Sequence, residues 1–120
     1  MTVRGVQRIV VSVADRERAL ILYRDALGLT EKYTAGEVVA LTIPGSDTEL
    51  LLHERPPTPG LAGVAVSFLV SDVDVSTAAA EKAGARIIDA PDDQPWGERQ
   101  SVFTDPDGHV ICLVSALTSQ

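Results

Sequence analysis

IVVSVAD at residues 9–15 and VSFLVSD at residues 66–72 decide the reading of this chain, because they state one pattern twice. Each begins as an alternating, largely β-branched strand and ends on an aspartate suited to open a helix. Asp15 and Asp72 stand 57 residues apart, and Leu27-Gly28 and Ala83-Gly84 close the two helical stretches. Further out, PGSD (44–47) precedes an apolar strand at Thr48–His53, and DPDG (105–108) precedes another at His109–Ser115. The chain therefore reads as a duplication.

Between these landmarks the elements follow from periodicity. Val6–Val13 alternates as a strand. Ala19, Leu22, Tyr23, Ala26 and Leu27 recur at i, i+3, i+4, i+7 and i+8, one face of a helix. Gly28 suits the left-handed residue that ends such a helix. Strands are expected at Leu29–Tyr33, Glu37–Ile43 and Thr48–His53. The second half repeats the order, with a strand at Gly63–Val70, an alanine-rich helix from Asp72 to Gly84, and strands near Ala85–Ile88, Arg99–Thr104 and His109–Ser115. ERPPTPGL (54–61) holds three of the seven prolines and separates the halves. The fold class is α+β: duplicated βαβββ modules forming a curved, cup-like mixed sheet, in one domain over 1–120. The modules span 1–54 and 62–120, with a linker at 55–61.

Composition narrows the function. A chain of 120 residues with 45% hydrophobic and 22% charged residues is an ordinary globular domain. The net charge of −7, without a basic run and with few aromatics, disfavours nucleic acid. One cysteine, Cys112, excludes an internal disulfide and fits a reducing compartment. No apolar run reaches membrane-spanning length and MTVRG lacks a following apolar leader, so a cytoplasmic protein without a membrane partner is expected.

Val13-Ala14-Asp15, Ala19-Leu20 and Tyr23-Arg24-Asp25-Ala26-Leu27-Gly28 resemble the first module of the glyoxalase/bleomycin-resistance/dioxygenase group, the vicinal oxygen chelate superfamily. Pro95-Trp96-Gly97 and Phe103-Thr104-Asp105-Pro106-Asp107-Gly108-His109 resemble its second-module ending. The resemblance covers nearly the whole chain. It implies the duplicated fold and, together with open sheet edges, a homodimer. It does not fix an activity, because the superfamily includes isomerases, dioxygenases, thiol transferases and proteins that only sequester antibiotics.

Strand parity assigns the faces. Ile9, Val11 and Val13 pack under the helix, which leaves Arg8, Val10 and Ser12 on the pocket side. Leu50 and Leu52 point inward, with Glu49, Leu51 and His53 in the pocket. In the second half Ala65, Ser67 and Leu69 face the pocket, while Val66, Phe68 and Val70 face the core. Ile111 and Leu113 are core, with Val110 and Cys112 in the pocket. Trp96 lies on a loop, where it would cover the cup or a dimer surface.

The resemblance implies a divalent ion held at positions that here carry Arg8, Leu51, Ala65 and Cys112. Arginine is cationic, leucine and alanine offer no donor, and a lone thiolate suits hard divalent ions poorly. No metal cofactor is therefore expected; a displaced site using Glu49, His53, His109 and Cys112 is the alternative. Arg8 has two open readings: it clamps an anionic group of a ligand or replaces the metal's charge with its own, or it makes a salt bridge to Glu49 or a neighbouring chain or reaches solvent. The expected function is metal-independent binding of a small-molecule ligand, in the manner of bleomycin-resistance proteins. The ligand-lining set is Arg8, Val10, Ser12, Glu49, Leu51, His53, Ala65, Ser67, Leu69, Trp96 and Cys112. The alternative is a glyoxalase- or dioxygenase-like lyase, isomerase or oxygenase, using a metal or acid–base chemistry by Glu49 or His53, with Glu49 raised in pKa. A dimer with a collapsed cup is a third.

Overall fold

The structure, a computed structural model, describes residues 6–59 and 65–117. It is α+β, with two mixed four-stranded sheets that do not close. The chain divides into two compact units, Met1–Thr58 and Pro59–Gln120. Positions 60–64, which include the end of the expected linker and the start of the expected strand at Gly63, lie outside the described residues.

The first unit runs β1 (Arg8–Val13), α1 (Arg16–Leu20) with a π-helical continuation (Ile21–Ala26), β2 (Thr30–Ala35), β3 (Val38–Thr42) and β4 (Glu49–Glu54). Its sheet order is β1-β4-β3-β2; β1 and β4 are parallel and the other pairs antiparallel. The second unit runs β5 (Val66–Leu69), α2 (Val73–Lys82), β6 (Arg86–Asp93), β7 (Glu98–Thr104) and β8 (Val110–Ala116). Its order, β5-β8-β7-β6, repeats the first with the same parallel first pair. The duplication read in the sequence is thus a duplication of topology.

Both helices begin as their aspartates dictate. Asp15 is extended and its carboxylate accepts from Arg18 N–H at 3.2 Å; Asp72 does the same for Val75 N–H at 3.0 Å. Each satisfies a backbone donor that has no partner inside the helix. At the end of α2, Gly84 adopts φ +106°, which lets Gly84 N–H reach Glu81 C=O and Ala85 N–H reach Ala80 C=O. That pair of bonds is a Schellman ending, and it buries Ala80 against the turn.

The first helix departs from the simple α-helix that the spacing predicts. After Leu20 it widens, and Leu27 N–H reaches back to Leu22 C=O at 2.9 Å while Leu29 N–H reaches Tyr23 C=O at 3.1 Å. Leu22 and Tyr23, within this wider segment, are both fully buried. Val11, Val13, Leu50 and Leu52 of β1 and β4 are buried as well, and Phe103, Ile111 and Leu113 supply the core of the second unit. Each such side chain contributes roughly 1.5–3 kcal/mol on burial. Val66 and Phe68, expected in the core, are only half-buried.

β6 is longer than its sequence suggests and continues through Pro91 to Asp93. As the edge strand of its sheet it tolerates a residue without an N–H, and the register irregularity between Asp89 and Asp92 spans Pro91.

Candidate ligand-binding faces

In the first unit, parallel pairing sets Arg8 beside Glu49, Val10 beside Leu51 and Ser12 beside His53. These six expected site residues share the sheet face opposite the helix, because their neighbours Val11, Val13, Leu50 and Leu52 are buried beneath it. Val10 is exposed, and Leu51 and His53 are half-buried.

Glu49 is the centre of this face. Its side chain is only 4% exposed, yet it stays charged because three donors converge on it. Arg8 Nε–H donates to Oε1 at 2.8 Å, Lys32 Nζ to Oε2 at 3.2 Å, and the Tyr33 hydroxyl to Oε1 at 3.4 Å. The Arg8 and Lys32 hydrogen bonds hold the Glu49 carboxyl below its ordinary pKa, against the opposing effect of burial. Glu49 in turn raises Arg8. The expectation of a raised pKa at Glu49 is therefore corrected: two cations stabilise its ionised form.

Lys32 and Tyr33 were not among the expected site residues. They are sequence neighbours that both reach Glu49 because a register shift between Glu31 and Tyr33 interrupts the alternation of β2. Arg55 was missed as well. Its Nε–H donates to Ser12 Oγ at 2.7 Å, and its N–H continues the β1–β4 ladder to Val13 C=O. Parity could have found it, since Glu49, Leu51, His53 and Arg55 alternate along one strand and its extension. His53 Nε2 lies 3.7 Å from Glu37 Oε2 at the same end of the face.

In the second unit Ser67 pairs with Cys112 and Leu69 with Val114. Ala65 precedes that strand and is exposed, as are Ser67 and Leu69; Cys112 is a half-buried free thiol. This face carries no ion pair comparable to that of Glu49 among the described residues. Trp96 sits in the β6–β7 turn, exposed, with its indole N–H donating to Glu98 Oε1 at 2.8 Å. An open cleft of about 460 Å³ along β6 and β7 is lined by Ile88, Asp89, Ala90, Asp92, Gln94 and Gln100, none of them an expected site residue. His109 serves the DPDG turn through its backbone: its N–H and that of Asp107 both donate to Asp105 Oδ1 at 2.9 Å.

The positions that the resemblance assigns to a divalent ion do not fit one. Arg8 is a cation committed to Glu49, Leu51 and Ala65 have no donor atom, and Cys112 is a single soft ligand. Among the described residues no three His, Cys, Asp or Glu side chains group to hold a metal ion. No described helix is long and apolar enough to cross a membrane.

Two βαβββ units, each with a parallel first pair and an open sheet face, define the class of protein. The model of the Glyoxalase/Bleomycin resistance protein/Dioxygenase superfamily matches residues 5–113, and the chain belongs to that superfamily. The solved structure of TnmS3, an antibiotic binding protein from Streptomyces sp. CB03234, is 32% identical, with a TM-score of 0.74 covering 97% of this chain and 98% of that one. A superfamily member from Sphaerobacter thermophilus DSM 20745 is 26% identical, with a TM-score of 0.72 over 94% of this chain and 98% of its own. "Putative glyoxylase CFP32" of Mycobacterium bovis is 31% identical over 107 residues, 85% of this chain. The curated relatives are longer proteins, of which the matches span 36% and 40%.

Proposed function

We propose that this chain binds a small organic molecule on its open sheet faces and acts by holding it, without a metal ion. The donor set carries this reading. Where the superfamily's metal-dependent members would bind an ion, this chain places a cation, two aliphatic side chains and one thiol. On the first face the exposed Val10 adds apolar surface beside the polar Arg8, Ser12 and His53, and on the second Leu69 lies on the same strand face as Ser67, in each case the mixture usual in a binding site. Similarity to an antibiotic binding protein along nearly the full length supports sequestration over turnover. A homodimer belongs to the same proposal, since both sheets end in unpaired edge strands.

The enzyme reading draws on the similarity to CFP32. It has Glu49 only as a weakened base, because the Arg8 and Lys32 hydrogen bonds lower that carboxyl's pKa and engage both of its oxygens. Elemental analysis after exposure to Mn, Fe, Ni and Zn separates the two. Binding of aromatic compounds that raises the melting temperature, without retained metal, supports sequestration. One ion retained per chain overturns it in favour of metal-dependent chemistry.

A further inference from the structure

We infer that the ligand of the first unit is an organic acid, a flat apolar body carrying a carboxylate, sulfonate or phosphate group, with Arg8 and Lys32 as its anchor. The inference rests on the proposed binding function and names the ligand class.

Charge balance at Glu49 is the starting point. Two full cations, Arg8 and Lys32, and the Tyr33 hydroxyl converge on one carboxylate. One positive charge is left over. The carboxylate itself is covered, at 4% exposure, whereas the Arg8 and Lys32 side chains are 42% and 52% exposed. The buried acid thus fixes the cations from beneath while their remaining donors face outward.

Arg8 is engaged through Nε only, so both Nη groups stay available among the described residues. That outer edge of a guanidinium matches the two oxygens of a carboxylate, sulfonate or phosphate. Glu49 is then a positioning residue, which holds the guanidinium in one orientation and lowers the ordering cost of binding.

The surface beside the anchor is apolar. Val10 is 46% exposed and lies next to Leu51 in the register, so an aromatic or aliphatic body can rest there. Beyond it the far end of β1 offers Arg55, held by Ser12, with the exposed Glu37 beside His53 as the opposing acid. The chain's net charge of −7 does not counter this arrangement. Screening at physiological salt reduces charges more than about 8 Å away, while contacts at the anchor are screened far less.

A matched pair of fluorescent dyes tests the inference: 1-anilinonaphthalene-8-sulfonate and N-phenyl-1-naphthylamine, which share an arene and differ by the sulfonate. The expected result is that the sulfonate binds the folded protein roughly tenfold more tightly, with an affinity that falls as salt rises. Arg8→Gln and Lys32→Gln each weaken the sulfonate several-fold and leave the neutral dye unchanged. Equal affinity for the two dyes, or a sulfonate affinity indifferent to both substitutions, overturns the anionic class but leaves the face as a binding site. Failure of both dyes to bind overturns the binding function itself, and the inference with it. Circular dichroism melts accompany each variant; should Arg8→Gln unfold, the exposed Lys32→Gln decides.

Discussion

Arg8 and Glu49 face each other across the parallel β1–β4 pair, and the 2.8 Å bond from Nε to Oε1 joins an exposed cation to a covered carboxylate. The asymmetry predicts how each partner responds to loss. Arg8→Ala leaves a buried carboxylate with Lys32 and Tyr33 alone, so the melting temperature falls. Glu49→Gln frees two cations that are about half-exposed to solvent, so it should cost less. A double variant Arg8→Met/Glu49→Leu removes the charge and its partner together and should be more stable than Arg8→Ala. Thermal melts of the three variants check the order. Equal losses for Arg8→Ala and Glu49→Gln would mean that the burial of Glu49 is unimportant.

The same pair sets an acid limb. Glu49 has a lower pKa folded than its ordinary value of 4.5, because hydrogen bonds from Arg8 and Lys32 favour its ionised form. A depressed folded pKa contributes stability that is present above the unfolded value and is lost as pH falls through the folded one. Stability should therefore decline on acidification below about pH 4.5, and the decline should be shallower in Glu49→Gln. Denaturant midpoints from pH 7 to pH 3 measure it; parallel curves for the two proteins would remove Glu49 from the acid response.

A second buried polar contact is neutral. Thr77 Oγ1 of α2 and Ser101 Oγ of β7 lie 2.7 Å apart, both hydroxyls buried. Thr77→Val alone strands the Ser101 hydroxyl, which costs about 1–3 kcal/mol, and Ser101→Ala strands Thr77 similarly. Thr77→Val/Ser101→Ala should lose less than the sum. A double-mutant cycle by urea denaturation gives the coupling directly, and strict additivity would show that the hydroxyls do not depend on each other.

Which parts of this were legible in the sequence follows from the range of each signal. Strand parity is local, so Val11, Val13, Leu50 and Leu52 went inward and Arg8, Val10 and Leu51 outward as alternation requires. The caps at Asp15 and Asp72 are equally local. The convergence of Lys32 and Tyr33 on Glu49 was not legible, because the irregularity in β2 that brings adjacent residues onto one face depends on pairing with β3. The π-helical turn is likewise a packing solution: the i, i+3, i+4 pattern of Ala19, Leu22 and Tyr23 fits an ordinary helix as well. Pro91 hid the length of β6, since a proline ends most strands and is tolerated here only at a sheet edge.

The two caps offer a comparison that only a duplicated fold allows. Asp72 caps a ten-residue α-helix, whereas Asp15 caps five α-helical residues that then widen into the π-helical turn. Replacing either carboxylate with alanine strands a backbone N–H, at a cost of about 1 kcal/mol, and glycine recovers most of it. Among the described residues Asp15 has a neighbour that Asp72 lacks: Glu54 Oε2 accepts from Arg16 N–H at 2.8 Å, a second acceptor for the same helix start. Asp15→Ala should therefore cost less than Asp72→Ala, and Asp15→Ala in a Glu54→Gln background should recover part of the difference. Urea midpoints of the wild type, the three single variants and the double variant test this; a larger loss at Asp15 would show that the short first helix leans on its cap more than on Glu54.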